Sequence, residues 1–488
     1  MPAEATPARL FPARPREEKR HLGRTLKEDE KWGGSMRHVR RALMVATVTV
    51  VLIGSSVYGA LAKPTGGSDR GRLRFTKPVA LTSFAPLRTA VGAVYSITRG
   101  QMPSDHEWSG EPVIKVDDKG VIYIAGTCCV VAATPVWYST NGGKTFEELE
   151  TSGHVREYTI GAEGDLAVDD EGRIYFVDTF IPGLMFTRWS EHGGSWDFTM
   201  PAAGVIPGFD DRPWIAWSKP ALYLYINHVS HTQIYRSEDA GLTWQTNGPL
   251  TWKGSALGQP YFPGHVAAHE KSGTVWVAGV VGDDGKDVIG SAVSTDMGAT
   301  FTEAVVTAPQ GKGGFSPVFT GITTVDAAGN GYVSWSTFDE KGCDVYFAGS
   351  TDKGKSWGEP VKVNDGGGCA TFPWIDAGAD GRLAVVWYQT PYAKEVPNGY
   401  QNNVPEKAPW YLHAAVVLNA TGRSPTVFEA RVPTKTPVMQ GPLQRELWDF
   451  LQVDEGPDGR MHITYSVKYK DSAPQTWYVG STGGPRLR

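Results

Sequence analysis

The chain has 488 residues, with 47 Lys and Arg against 52 Asp and Glu, a formal net charge of -5. Residues 63–488 alone hold 36 basic and 46 acidic residues, which argues against a nucleic-acid partner because phosphate binding needs a basic face. The 58 glycines suit turns and the 17 tryptophans and 19 tyrosines suit strand faces, so the composition favours an all-β fold over a helical one.

The N-terminal region predicts export. Residues 1–41 form a charged, proline-rich tail that we expect to be disordered. The uncharged segment 42–62 follows three arginines and ends in Ala60-Leu61-Ala62, the pattern of a cleaved signal peptide, although a retained anchor helix of this length would also span a bilayer. Met36 begins a sequence that would itself start a signal peptide, so we hypothesise that it is the true start. Both alternatives make the protein secreted or anchored to the outer face of the cytoplasmic membrane, with no other membrane contact.

After a linker at 63–74, residues 75–488 contain a repeated turn sequence, Ser-x-Asp-x-Gly-x-Thr-Trp/Phe. The Asp position should accept hydrogen bonds from backbone N–H groups, the glycine should supply a positive φ, and the aromatic should anchor the turn in the core. Four copies carry Asn141, Asp239, Asp296 and Asp352 at that position, and a shorter copy at 190–196 carries His192.

A second repeat predicts β-hairpins about 50 residues apart, the length of a four-stranded propeller blade. The seven copies begin at Ile114, Leu166, Trp214, Val266, Thr323, Ile375 and Gln452. They predict a β-propeller of seven four-stranded blades, or six if a terminal unit is incomplete. Residues 477–480 should share a blade with residues 75–83 and so close the ring.

The repeated turn resembles the Asp-box, or BNR repeat, of the sialidase-like superfamily, over residues 75–488. The resemblance implies a propeller that acts on glycans without a cofactor, for example as a glycoside hydrolase. The superfamily also includes receptors and assembly factors, so a non-catalytic propeller that binds a glycan or an extracellular protein is the alternative. The Arg-Ile-Pro of sialidases is absent, since Gly110-Glu111-Pro112-Val113 stands in its place, and no arginine triad can be assembled.

We expect the site residues to lie where inner strands begin, around the central channel. A carboxylate beside a guanidinium, as in Asp211-Arg212, suits both a sugar hydroxyl and a carboxylate, but also suits a structural ion pair. Paired carboxylates would suit glycoside hydrolysis, which makes Asp165, Asp211, Arg212, Glu446 and Asp449 the candidate catalytic residues. The candidate substrate-binding residues are Glu157, Tyr158, Asp210, His265, Trp374, Tyr388 and Tyr392. His265 and His269 lack a ligand motif, so no metal is expected.

The segment 388–410 is rich in Tyr, Pro and Asn and indicates a loop on the rim of the ring, where Tyr388, Tyr392 and Trp410 would stack on sugars or on one another. Cys343 and Cys369 lie in successive predicted blades and should form a disulfide if the protein is exported. The adjacent Cys128 and Cys129 would be either a vicinal disulfide or two free thiols. A monomer is expected.

Overall fold

A computed structural model describes residues 71–81, 110–126, 134–149, 164–180, 183–202, 211–228, 231–250, 252, 260–283, 286–310, 314–315, 321–339, 342–392, 404–434, 437–443, 447, 451–468 and 474–488. All of them belong to the unit Gly59–Arg488. The expected tail, the export segment, most of the linker and the Cys128-Cys129 pair lie outside these residues. Within the described part of the chain, no helix has the length and hydropathy needed to cross a membrane.

The described residues form 31 strands, most of them in antiparallel meanders of four. Two short strands come first, β1 (Arg74–Phe75) and β2 (Val79–Ala80). The next sheets are β3 (Pro112–Val116), β4 (Ile122–Gly126), β5 (Val136–Ser139) and β6 (Glu147–Glu148); β7 (Gly164–Val168), β8 (Ile174–Phe180), β9 (Gly183–Trp189) and β10 (Trp196–Pro201), with a 3-10 turn at Glu191–Gly193; β11 (Asp211–Ser218), β12 (Ala221–His228), β13 (His231–Ser237) and β14 (Gln245–Leu250); and β15 (Pro260–His269), β16 (Thr274–Asp283), β17 (Lys286–Ser294) and β18 (Thr302–Thr307).

The remaining strands complete the chain. They are β19 (Gly314–Phe315), β20 (Ile322–Val325), β21 (Gly331–Asp339), β22 (Gly342–Ser350), β23 (Val361–Lys362), β24 (Gly368–Ala377), β25 (Arg382–Thr390), β26 (Pro409–Leu418), β27 (Thr426–Arg431), β28 (Met439–Gln440), β29 (Gln452–Glu455), β30 (Met461–Val467) and β31 (Gln475–Gly483). Second strands such as β4 and β12 are buried on both faces, which explains their unbroken runs of β-branched and aromatic residues.

The first strand of each meander lines a central channel. We call these strands the inner strands: β3, β7, β11, β15, β20, β24 and β29. Each packs against the next in this order, and β29 packs back against β3, so that the ring is closed. The all-β propeller predicted from the hairpin repeat is therefore confirmed.

The expectation of seven separate four-stranded sheets is wrong. Five sheets have the size of a single blade, with four or five strands each, and the strands β19–β28 form one ten-stranded sheet. The reason is a short parallel pairing of β22 with β24 at Gly342 with Gly368 and Cys343 with Cys369. The predicted Cys343–Cys369 disulfide is present and fastens this pairing.

The ring closes through strands from the two ends of the described chain. β1 and β2 both pair antiparallel with β31, through Phe75 with Ser481 and Val79 with Tyr478. The predicted sharing of one sheet by these segments is confirmed. The edge of β31 is thereby covered, which removes an open template for pairing with another chain.

The four repeated turns at Asn141, Asp239, Asp296 and Asp352 make the hydrogen bonds that their sequence predicts. In the turn at Asp352, Oδ1 accepts bonds from Ser350 Oγ (2.9 Å) and Ser356 N (2.9 Å), and Oδ2 accepts one from Ser356 Oγ (2.5 Å). Gly354 follows at φ 77° and donates its N–H to Ser350 Oγ. The turns at Asn141, Asp239 and Asp296 repeat this scheme.

Each of these turns also packs on the preceding meander. In three of them the aromatic residue that ends the turn lies against a buried ring of that meander. These pairs are Trp244 on Phe186 (ring centroids 5.3 Å apart), Phe146 on Tyr478 (5.2 Å) and Trp357 on Trp276 (6.2 Å). A Cβ on Gly241 would lie 2.0 Å from the Phe186 ring, so the glycine is needed for this close approach as well as for its φ. The turns therefore join neighbouring sheets as well as the two strands that they connect.

Asp352→Ala should lower the free energy of unfolding by about 1–2 kcal/mol, since it removes charge-assisted bonds from a half-buried turn. Hydrogen bonds from Ser356 lower the pKa of Asp352 to about 2. The contribution of the Asp352 carboxylate to the free energy of unfolding is therefore present above the ordinary carboxyl pKa and is lost as the pH falls through about 2. Chemical denaturation would measure it. Asp352→Asn should lower the free energy of unfolding by less, because Asn141 fills the same place in the first turn. The matched control is Asp287→Ala, at an exposed position. Equal losses of stability for Asp352→Ala and this control would contradict the role of the turn.

Candidate functional site in the central channel

Three aromatic rings from three different inner strands pack against one another. Trp214 on β11, His265 on β15 and Trp374 on β24 have ring centroids 5.3, 5.4 and 5.0 Å apart. In the ring of inner strands, β15 and β20 separate β11 from β24, so the two tryptophans meet across the channel. We call this group the aromatic plug.

A buried carboxylate supports the plug. Asp165, which is 1% exposed, accepts hydrogen bonds from Ile215 N (3.0 Å) and from Gln452 Nε2 (3.4 Å). His265 Nε2 lies 3.7 Å from Asp165 Oδ2, and its Nδ1 lies 3.2 Å from Thr323 O. The structure thus brings together Asp165, His265 and Trp374 from the predicted site residues.

A cavity of about 590 Å³ lies beside the plug. Its walls come from the C-terminal halves of the inner strands and the turns that follow them, and from the C-terminal residue. The charged side chains on these walls are Lys115, Glu270, Lys271, Asp326, Asp376, Asp454, Glu455 and Arg488. A concave space with a few converging polar groups is the usual form of a ligand site.

Two ion pairs cross the cavity wall. Lys115 Nζ lies 2.8 Å from Asp454 Oδ1, while Asp454 Oδ2 accepts a bond from Val116 N at 2.7 Å. Arg488 Nε lies 3.2 Å from Glu455 Oε1. Burial alone would lower the pKa of Lys115, but the nearby carboxylates, Asp454 foremost, outweigh it and raise that pKa.

Asp376 has no such cationic partner within ion-pair distance in the described structure. Its Oδ2 accepts a bond from Glu455 N (2.7 Å), and Thr324 Oγ1 lies 3.4 Å from Oδ1. Burial, helped by the charge of Asp454, raises the pKa of Asp376 to about 7, and burial with the charge of Asp376 raises that of Glu455 to about 7. A carboxyl group that keeps its proton near neutrality therefore lies beside a carboxylate paired with lysine, the arrangement of an acid and base pair.

The other predicted site residues lie elsewhere. Arg212 is half-buried at the start of β11, with φ 52°, and Asp211 pairs through its backbone with Asn227. Glu111 (φ 44°) directly precedes β3, and Phe372 (φ 56°) lies within β24. Both have the same left-handed conformation as Arg212, and each is followed by proline. Glu157, Tyr158, Asp210, Glu446 and Asp449 lie outside the described residues, so the predictions for the strand starts remain predictions.

The expected rim loop starts later than the sequence indicated. Tyr388 lies in β25 and Trp410 in β26, and both are buried. The Tyr388 hydroxyl accepts a bond from Ser466 N, and Trp410 Nε1 donates to Gly441 O. The placement of these two rings on an exposed loop was wrong because their strands extend further than the hairpin repeat suggests, whereas Tyr392 is 45% exposed as expected.

Sequence reasoning missed Lys115, Asp376, Asp454 and Glu455. All four lie within the hairpin repeats that defined the blades, but towards the end of an inner strand, and only the strand starts were considered. A usable signal was present, since acidic or basic residues at the end of an apolar inner strand face the channel or the turn beyond it.

One further group has the composition of a metal site. Asp117, Asp118 and His192 place their ligand atoms within 4.8 Å of one another. However, Asp117 already accepts bonds from Lys119 N, Val121 N and the Tyr123 hydroxyl. His192 Nδ1, 2.6 Å from Asp117 Oδ2, therefore joins two sheets by a hydrogen bond, and the arrangement is structural.

Comparison with known proteins adds similar folds at low identity. No protein-family model and no curated protein matches the sequence. A protein of unknown function from Dyadobacter fermentans is 14% identical, with 84% of this chain and 98% of that chain covered and a TM-score of 0.43. An ulvan lyase is 11% identical, with 76% of this chain and 93% of that chain covered and a TM-score of 0.46. The intramolecular trans-sialidase from Ruminococcus gnavus is 15% identical, with 76% of this chain and 94% of that chain covered and a TM-score of 0.39. With TM-scores below 0.5, the description of the fold rests on the strand pairing itself.

Proposed function

We propose that this protein acts on glycans, binding a sugar unit in the channel cavity and hydrolysing a glycosidic bond there. The observation that carries the proposal is the pair Asp376 and Asp454 in a cavity of about 590 Å³, one carboxyl with a raised pKa and the other held by Lys115. Two carboxyl groups in different protonation states are what glycoside hydrolysis requires.

In this mechanism Asp376 is the general acid, because its raised pKa keeps a proton available for the leaving oxygen near neutral pH. Asp454 is the carboxylate that either activates water or attacks the anomeric carbon. Lys115 fixes the position of Asp454 through the contact of its Nζ with Asp454 Oδ1. The aromatic plug closes one end of the site, so that the sugar enters from the mouth beyond the ends of the inner strands.

The second candidate is a non-catalytic propeller that binds a glycan or an extracellular protein. It is favoured by the hydrogen bonding of Asp454, whose two oxygens are both engaged, by Lys115 Nζ and by Val116 N. A nucleophile or base would have to exchange one of these bonds during the reaction. Failure to turn over any glycoside, with retained sugar binding, would favour this candidate.

Asp376→Asn should lower kcat by a factor on the order of 10²–10⁴, the usual contribution of a general acid. A panel of aryl glycosides that includes a sialoside would measure it, with the exposed Asp380→Asn as the matched control. Wild-type activity should fall as the pH rises through about 7, where Asp376 loses its proton. A variant as active as the wild type would contradict the assignment.

A folding measurement separates this catalytic effect from misfolding. At pH values between the ordinary carboxyl pKa and about 7, Asp376 keeps its proton in the native state but loses it in the unfolded chain. The free energy of unfolding therefore falls as the pH rises through that range. Asparagine cannot ionise, and Asp376→Asn should therefore be at least as stable as the wild type at pH 8. Inactivity with an intact or raised unfolding midpoint would assign the loss to chemistry.

The proposal also includes the location of the protein. It would be a secreted or membrane-anchored monomer, exported by the segment 42–62. The location follows from the export pattern of the sequence.

A further inference from the structure

The charges around the cavity are unbalanced. The acidic residues on its walls are Glu270, Asp326, Asp376, Asp454 and Glu455, and the basic residues are Lys115, Lys271 and Arg488. Asp376 and Glu455, whose pKa values are raised to about 7, are ionised at pH 8. With neutral histidines the described wall then carries two more negative charges than positive ones. The field inside the cavity is therefore negative at pH 8.

The two cations inside the cavity, Lys115 and Arg488, are already paired with carboxylates. Lys115 is paired with Asp454 at 2.8 Å and Arg488 with Glu455 at 3.2 Å. Lys271 is exposed in the turn between β15 and β16, where water and salt screen its charge. A ligand anion would have to break one of the two pairs and leave a carboxylate without its partner, which is costly in a part-buried site.

Two of the acidic residues, Asp326 and Asp376, have hydrogen-bond donors as partners instead of cations. Asp326 accepts bonds from its own turn and from Gly381 N, and Asp376 accepts bonds from Glu455 N and Thr324. These groups are hydrogen-bonded but keep their negative charge whenever they are ionised. Like charges placed against such groups are disfavoured, whereas hydroxyl groups can still donate to them.

We infer that the channel cavity selects sugar units that carry no carboxylate, sulfate or phosphate group. The inference rests on the proposed function, because it names the substrate class of the same site. It departs from what the sialidase resemblance implies, since sialidases bind the carboxylate of their sugar with three arginines. Here the position of such a group would be occupied by acidic side chains and by cations that already have partners.

Binding of matched sugar pairs to the full-length protein tests this inference. Methyl glucoside with methyl glucuronide, and the corresponding galactose and mannose pairs, differ only in a hydroxymethyl or carboxylate group at C6. Saturation-transfer NMR or calorimetry at pH 8 should show the neutral member of a bound pair binding at least about tenfold more tightly. The ratio should shrink at pH 6 and in high salt, because protonation and screening both weaken the negative field.

Asp376→Asn should reduce the discrimination by removing one negative charge, while Asp380→Asn, which lies outside the cavity wall, should leave it unchanged. Equal or tighter binding of the uronide would overturn the inference and leave the proposed function standing. Preference for the neutral sugar without hydrolysis would support the inference and count against the hydrolase. If no member of any pair bound, both the glycan function and the selectivity that rests on it would be wrong.

Discussion

Lys115→Met is expected to lower the free energy of unfolding by about 3 kcal/mol, as is found when one partner of a buried ion pair is removed. The variant would leave Asp454, whose side chain is 10% exposed, near Asp376 and Glu455 without its counter-ion. We expect the lower part of the usual range because the Lys115 side chain is itself 31% exposed and the pair is partly screened. Denaturation by guanidinium at pH 8 would measure the loss.

A second lysine provides the matched control. Lys219 Nζ lies 2.7 Å from Asp170 Oδ2, but these side chains are 70% and 42% exposed. Lys219→Met should therefore leave the free energy of unfolding close to the wild-type value. Adding Asp454→Asn to Lys115→Met should recover much of the stability, because no uncompensated charge then remains. Equal effects of the two lysine substitutions would show that the Lys115 pair is not the buried electrostatic element inferred here.

The parts of this fold that the sequence predicted are those held together locally. In each repeated turn every donor and acceptor lies within eight residues, so Ser350, Asp352 and Ser356 indicate their bonds without knowledge of the rest of the chain. The hairpin repeat likewise predicted the order of the meanders. The closing of the ring by residues 75–83 was also inferred correctly, since an incomplete last unit needs a partner for its edge.

The channel could not be predicted in the same way. Lys115 and Asp454 are 339 residues apart, and which charges face each other depends on the register of inner strands from opposite ends of the chain. The merging of two meanders into a ten-stranded sheet is equally non-local, since it depends on two residue pairs between β22 and β24. Trp214 and Trp374 each follow a proline in the sequence, and their contact in the aromatic plug likewise depends on two inner strands that are far apart along the chain.

Removal of the first two strands should have the largest effect of any change considered. A chain that begins at residue 82 would lose the pairing of β1 and β2 with β31, including the bonds Thr76 N to Gly480 O (2.8 Å) and Leu81 N to Thr476 O (2.9 Å). It would also lose two buried leucines, Leu73 and Leu81, worth about 3–6 kcal/mol of burial together. That is comparable with the whole stability of an ordinary domain, about 5–15 kcal/mol.

We therefore expect the chain 82–488 to unfold at a much lower guanidinium concentration than the full protein, or to associate through the exposed edge of β31. The chain 63–488 keeps both strands and serves as the control, with a midpoint close to that of the full protein. Size-exclusion chromatography with light scattering would distinguish association from unfolding. If the chain 82–488 remained monomeric and as stable as the control, the three strands that remain in this sheet, β29, β30 and β31, would suffice to close the ring. The propeller would then not depend on strands contributed from both ends of the chain.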